Sequence, residues 1–314
     1  MAKFLCMTLN PAIDFTVTLD KLHVGGVNRQ QSAQSHAAGK GLNVAQILHD
    51  LGHEVTVSGF LGRSNAAAFE AHFVREGFHD GFVRVEGETR TNVKIAEAGG
   101  RMTDINGKGF TVGEADKAAL LECVDALAAN VDFIVVSGSL PQQFSPQDLQ
   151  ILLGRLKARN PRIAVDTSGA ALAAAAECGP FLLKPNSEEL QQAFGLPAET
   201  AAEQVKTLAL LPTPVEHVVL SMGEKGVNWW RQGGCLHATA AKVAVKSTVG
   251  AGDTLLAGML HGLASGWPDE QVLRTAAALA AHAVSQIGFG IPDSARLQEL
   301  LQHIHAQTEE GFTL

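Results

Sequence analysis

Short apolar runs alternate along the chain with segments in which apolar residues recur every three or four positions. The runs are Phe4–Leu9, Val55–Leu61, Phe133–Val136, Ile163–Val165, Phe181–Leu183 and Val218–Leu220. Consecutive apolar positions suit strands buried on both faces, and such strands belong to a parallel sheet covered by helices. Helical spacing falls at about 42–51, 65–76, 114–128, 145–158, 186–194, 251–265, 269–286 and 294–305. Ser145-Pro146 and Pro268-Asp269 supply start signals for two of these helices. The pattern predicts an α/β fold: a three-layer α/β/α sandwich around a mostly parallel central sheet.

Two stretches break the rhythm. In Asp14–Ser35 and Thr89–Ile105 polar and apolar residues alternate, and the second carries a turn at Gly99-Gly100. Both read as antiparallel strands inserted into the α/β body. With no internal repeat or low-complexity linker, the expectation is a single domain over 1–314 with a small β-sheet built from insertions at about 14–35 and 89–106. That sheet is either a lid over an active site or a structural edge ribbon.

Composition narrows the class. Hydrophobic residues at 46% and charged residues at 18% describe an ordinary globular protein. No run approaches the ~18 apolar residues of a membrane span, and the start carries no export signal, so a cytoplasmic protein is expected. Cys6, Cys123, Cys178 and Cys235 are scattered and read as buried thiols in a reducing compartment. His49 and His53 stand at helical spacing, but no carboxylate pattern completes a metal-ligand set around them. A net charge of −8 speaks against nucleic acid and anionic membranes as partners. A phosphate-bearing ligand would need specific cations, for which Arg29, Lys40, Arg90 and Lys94 are the candidates.

The strongest chemical signal is Ser247-Thr248-Val249-Gly250-Ala251-Gly252-Asp253-Thr254, a glycine-rich turn running into the apolar helix Leu255–Leu263. Glycines let an anion approach the backbone, and the free N–H groups of a helix start point at it. A carboxylate beside such a hole would repel a phosphate that was merely bound. It makes sense as a general base, with the amides of Gly250, Ala251 and Gly252 stabilising the transferring phosphoryl group. The alternative is that Asp253 caps a structural turn. Other nucleotide motifs fail: Gly39-Lys40 has Gln34 where a P-loop needs glycine, and Thr8-Leu9-Asn10-Pro11 lacks the glycines of a dinucleotide fingerprint.

Lys184-Pro185-Asn186 follows a buried strand and opens a helix, which sets Asn186 and Glu189 one turn apart on one face. That face either meets Mg²⁺ or forms a capping box. Ser221-Met222-Gly223-Glu224-Lys225-Gly226 follows another strand, with glycines that let backbone pass beneath a nucleotide. Trp229 and Trp230 are adjacent, so on a strand they face opposite sides, and at least one belongs to the core.

The glycine turn ending in Asp253 resembles the C-terminal signature of the ribokinase superfamily, in particular its phosphofructokinase-B branch. Leu9-Asn10-Pro11-Ala12-Ile13-Asp14, His36-Ala37-Ala38-Gly39-Lys40-Gly41-Leu42-Asn43, Ser137-Gly138-Ser139-Leu140-Pro141, Asp166-Thr167-Ser168 and the segments at 184–189 and 221–226 follow in family order over almost the whole chain. The resemblance implies a ribokinase-like kinase with ATP as co-substrate, Mg²⁺ as cofactor and a sugar phosphate as acceptor. It implies sugar binding by Asp14, Gly39, Lys40, Gly41, Asn43 and Ser139, with the acceptor's phosphate held by the candidate cations. Lys184, Asn186, Ser221 to Gly226, Thr248 and Gly252 would border the ATP phosphates and ribose, His282 and Ser285 the adenine, and Glu189 the magnesium through water. Within the branch, His36–Gly41 and Thr103-Asp104-Ile105-Asn106 are most similar to the enzymes that phosphorylate fructose 1-phosphate at its 6-hydroxyl; relatives acting on 6-phosphates tend to carry glycine for Ala37 and Ala38. Gly107-Lys108-Gly109 departs from the aromatic residue and proline or serine that often follow Asn106. The rival readings are a kinase of tagatose 6-phosphate or fructose 6-phosphate and a non-catalytic sugar-phosphate sensor. A homodimer through the lid is a further expectation.

Overall fold

A computed structural model of the chain describes residues 1–286, 290–309 and 311. In chain order they form β1 (Lys3–Thr8), β2 (Ala12–Leu19), β3 (Ser32–Ala38), α1 (Lys40–Asp50), β4 (Glu54–Gly62), α2 (Ala67–Glu76), β5 (His79–Val85), β6 (Arg90–Glu97) and β7 (Met102–Asn106). Then come α3 (Glu114–Leu127), β8 (Phe133–Ser137), α4 (Pro146–Lys157), β9 (Ile163–Asp166), α5 (Gly169–Glu177), β10 (Leu182–Leu183), α6 (Ser187–Phe194) and α7 (Ala201–Leu208). The chain finishes with β11 (His217–Ser221), β12 (Val227–Arg231), β13 (Gly234–Ala238), α8 (Ala251–Ala264), α9 (Asp269–Val284), α10 (Ser294–Gln302) and β14 (Ala306–Glu309).

The large sheet runs β14-β13-β12-β11-β10-β9-β8-β1-β4-β5. From β5 to β11 every pairing is parallel, and β12, β13 and β14 extend the sheet antiparallel. Helices cover both faces, which is why β1 and β8 are apolar at consecutive positions and buried throughout except for Lys3. One face packs α1, α8 and α9, the other α3, α4 and α5. Trp229 and Trp230 point to opposite faces, as their adjacency requires, and both are fully buried because both faces are covered. Among the described residues no helix is long and apolar enough to cross a membrane. All four cysteines are free.

The small sheet runs β3-β2-β6-β7. Its two insertions are where the sequence expects them, although the first reaches further, to Ala12 and Ala38. The expected antiparallel pairing holds within each insertion but not between the two. β2 and β6 run parallel, in a register that sets Asp14 beside Asn92 and Thr16 beside Lys94, while the two outer pairings are antiparallel. Each insertion folds as its own hairpin and the two meet side by side, a relation that local alternation does not carry.

Candidate active site

β1 leads across to β4 on one side, while its other neighbour, β8, leads to β9 on the opposite side, so at this point of the sheet the connections leave in opposite directions. A crevice at the carboxyl ends of the strands is the expected consequence. Here Ser139 follows β8, Asp166 ends β9, Lys184 follows β10 and Ser221 ends β11. A cleft of about 440 Å³ opens there, bordered by Asp14, Asn92 and Arg90 of the small sheet and by the glycine turn before α8.

That turn presents a helix start with no side-chain cap. Gly250 takes the N-cap position with φ 79°, in the left-handed region open to glycine. Thr254 N–H reaches back to Gly250 O at 2.8 Å, so the N–H groups of Gly252 and Asp253 have no helical carbonyl to bind. At Gly252 the approach is by a side chain: a β-carbon there would stand 3.3 Å from Lys184 Nζ, which would have to give way. The lysine ammonium therefore lies against the anion hole. Gly252→Val is expected to raise the KM for ATP at least ~10-fold, since one lost charged hydrogen bond costs about 1.5 kcal/mol or more; an unchanged KM would remove the turn from nucleotide binding.

Asp253, in the first turn of α8, is only 5% exposed and lines the cleft. Its Oδ2 accepts from Asn43 Nδ2 at 2.7 Å. Burial, reinforced by the charge of Asp166, pushes its carboxyl up to about 6, against the opposing pull of Asn43, Lys40 and Lys184. Asp166 itself is fully buried between two ammonium groups, Lys184 Nζ at 3.3 Å and Lys40 Nζ at 3.7 Å, and Ser137 Oγ donates to its other oxygen at 3.4 Å. Lys184 is 4% exposed and Lys40 only partly buried, and both line the cleft. Burial works against the Lys40 charge, but Asp166, with Asp253 and Glu189 beyond it, offsets this and holds its ammonium above the ordinary range. In the sequence Asp166 stands out only as part of a motif, where its signal is a carboxylate ending an otherwise apolar strand.

The glycines at the start of α1 bring this helix hard against β1. A β-carbon on Gly39 would stand 2.6 Å from Thr8 Cγ2, and one on Gly41 2.4 Å from Met7 O. Gly39 lines the cleft; Gly41 is buried and serves that close approach. On the small sheet Asp14 is held on both oxygens, by Lys94 Nζ at 2.6 Å and Asn92 Nδ2 at 3.1 Å. Lys94 is thus committed to Asp14. The Arg90 guanidinium donates to the carbonyls of Asn10 and Pro11 and sits 3.5 Å from Ser139 Oγ, which also accepts from Asn10 Nδ2. Arg29 lies exposed in the β2–β3 loop, outside the cleft lining. Asn92 escaped the sequence reading because its partner is set by the parallel β2–β6 register.

At the start of α6 both halves of the capping box are present: Glu189 N–H donates to Asn186 Oδ1 at 2.7 Å and Asn186 N–H to Glu189 Oε2 at 2.9 Å. Both residues also line the cleft, so capping and facing the cleft coexist. Asn186 bridges through its backbone to Ser221, another lining residue, as is Thr248. Beyond Ser221 the chain turns from Met222 to Gly226, with Gly223 at φ 58°, and a β-carbon on Gly226 would meet Ala238 O at 2.1 Å. Lys225 pairs with Glu199 at 2.6 Å and, like Glu224, stands exposed away from the lining. Met222 Sδ accepts from Gln204. His282 lies in the last turn of α9, and its carbonyl accepts from Ser285 Oγ at 2.7 Å.

Residues 6–296 match the pfkB family of carbohydrate kinases. The 1-phosphofructokinase of Vibrio cholerae is 43% identical over 303 residues, covering 96% of each chain. The 1-phosphofructokinase of Haemophilus influenzae is 37% identical over 313 residues, 99% of this chain and all of that one. Among solved structures, phosphofructokinase-2 of Escherichia coli in complex with fructose-6-phosphate superimposes with a TM-score of 0.86 at 24% identity, covering 96% of this chain and 99% of that chain. A possible 1-phosphofructokinase of Thermotoga maritima gives 0.86 at 24% identity, covering 98% and 100%. At that identity the structures speak for the fold, which is ribokinase-like. The family match and the relatives together carry the conclusion that the chain belongs to the pfkB family of carbohydrate kinases and is a phosphotransferase.

Proposed function

We propose that the protein transfers the γ-phosphoryl group of ATP to the 6-hydroxyl of D-fructose 1-phosphate, giving fructose 1,6-bisphosphate and ADP, with Asp253 as general base. The observation that carries the chemistry is a buried carboxylate in the first turn of an uncapped helix, facing a cleft beside two lysine ammonium groups. The choice of sugar rests on the relatives named 1-phosphofructokinase, which align over nearly the whole chain.

In this reading the acceptor lies between the small sheet and α8. Asp14, steadied by Asn92 and Lys94, accepts hydrogen bonds from its hydroxyls, and Arg90 beside Ser139 meets its phosphate, with Arg29 reaching in from the lid loop. As the 6-oxygen bonds to the γ-phosphorus, its proton passes to Asp253 and ADP leaves. The free amides at Gly252 and Asp253 and the Lys184 ammonium face the charge that builds on the phosphoryl oxygens. The contact of Lys40 with Asp166 supports reading it at this reacting end of the cleft, on the shared phosphoryl group rather than on the acceptor's own phosphate.

Among the described residues no group of three His, Cys, Asp or Glu side chains could hold a metal ion, so no all-protein cage is built. Glu189, a single carboxylate at the cleft, fits a magnesium ion that keeps most of its water and is carried by the nucleotide phosphates. When bound, that ion neutralises phosphate charge. We further read the small sheet as a lid, 1–314 as one domain, and the cytoplasm as its compartment. Exposed apolar side chains on that sheet and its loop, Val24, Val27, Met102 and Ile105, support pairing with a second copy there.

Steady-state comparison across ketose phosphates tests the substrate. kcat/KM for fructose 1-phosphate is expected to exceed that for fructose 6-phosphate and tagatose 6-phosphate at least ~10-fold. A reversed preference would move the assignment to a 6-phosphate kinase, and no ADP release with any of them would favour a sensor.

A further inference from the structure

We propose that Asn43 is the positioning residue of the catalytic base: its amide holds Asp253 Oδ2 and leaves Oδ1 as the oxygen that takes the acceptor's proton. This rests on the reading of Asp253 as the base.

Asn43 and Asp253 are 210 residues apart, on α1 and α8, and their side chains meet at 2.7 Å. An ionised carboxylate only accepts hydrogen bonds, so the amide must turn its NH2 group towards Asp253, which fixes the orientation of both groups. Among the described residues Asn43 supplies the one side-chain hydrogen bond to this carboxyl. Its own backbone is held, because Asn43 N–H donates to Gly39 O at 2.8 Å in the first turn of α1. Gly39 and Gly41 in turn press that turn onto the end of β1. A rigid chain therefore runs from the central sheet through α1 to one oxygen of the base.

The other groups around Asp253 act through charge: Asp166 at the end of β9, Lys40 on α1 and Lys184 after β10. They set how strongly a proton is held but leave the carboxyl free to rotate. A hydrogen bond fixes the rotation. The second N–H of the Asn43 amide and its oxygen stay available to a substrate hydroxyl, so holding the base and meeting the sugar are compatible.

The titration of Asp253 followed by carboxyl carbon NMR in the free protein separates these roles. Asn43→Leu removes the donor that favours the ionised form, so the midpoint near 6 is expected to rise by at least ~0.5 pH unit. The acid limb of the kcat profile should shift with it, and kcat should fall at least ~10-fold while KM for ATP holds. In the Asp253→Asn background the same substitution should cost less than ~3-fold further, because residues acting through one another are not additive. An unmoved midpoint, or a loss confined to the KM for the sugar phosphate, overturns the proposal, as does full additivity. Asn43→Ser gives the same comparison should the leucine variant not fold. The titration needs no turnover, so its outcome stands apart from that of the ketose-phosphate panel.

Discussion

Asp253→Asn is expected to lower kcat at least ~100-fold while ATP binding is retained, because it removes the proton acceptor and leaves the anion hole and its amides in place. The substitution is nearly isosteric and keeps an oxygen for Asn43 Nδ2. Its effect on stability should run the other way. The folded carboxyl is raised from 3.8 to about 6, so the fold holds this proton more tightly than the unfolded chain does. Stability drawn from that proton is complete below the ordinary carboxylate range and lost as pH rises from about 4 through about 6. At pH 8 the parent bears the full cost of an ionised, buried Asp253, and the asparagine variant bears none. Its Tm at pH 8 is therefore expected to equal or exceed the parent's, with the gap closing towards pH 4. The parent's kcat/KM should in turn rise with pH through about 6 as the base ionises. Turnover by Asp253→Asn within ~10-fold of the parent would remove the base assignment; a lower Tm at pH 8 would show that the ionised carboxylate stabilises the fold instead.

Six of the seven parallel strands of the large sheet and eight of the helices were legible because each depends on its own residues: an apolar run for β1, β4 or β8, a period near 3.6 for α4 or α9; β5, with His79, Asp80 and Arg84 along it, offers no such run. What failed to read out locally depends on neighbours distant in sequence. β12 to β14 form an antiparallel edge whose strands carry Asn228, Arg231, His237 and Gln307, and only the register against β11 makes them a continuation of the sheet. α5 is too rich in alanine to show an amphipathic face, since most of it is buried. The parallel contact of β2 with β6 joins two insertions that are separate in the chain.

The site divides the same way. Gly250, Gly252, Asp253, Asn186 and Glu189 declared themselves through spacing, because a helix start needs those residue types nearby in sequence. The cations did not sort themselves. Arg29, Lys40, Arg90 and Lys94 look equivalent as isolated charges, yet Lys94 is tied to Asp14, Lys40 faces Asp166, Arg90 rests on backbone carbonyls and Arg29 stands in an exposed loop. Their differences come entirely from partners that folding brings up.

Lys184→Met is expected to destabilise the protein by about 3 kcal/mol, because removing one member of a buried ion pair strands the other. Asp166 would keep only Lys40, at 3.7 Å and partly exposed, in place of the buried ammonium at 3.3 Å. Turnover should fall as well, at least ~100-fold, since the ammonium that abuts the anion hole is lost. The double variant Asp166→Asn with Lys184→Met separates the two roles. Neutralising Asp166 removes the stranded charge, so most of the Tm should return, whereas turnover should stay low because no cation has been restored beside Gly252. Thermal unfolding and ADP release measured on the parent and on both variants decide the matter. Recovery of turnover in the double variant would mean that Lys184 serves only to neutralise Asp166, and an unchanged Tm in the single variant would mean that Lys40 alone suffices for that task.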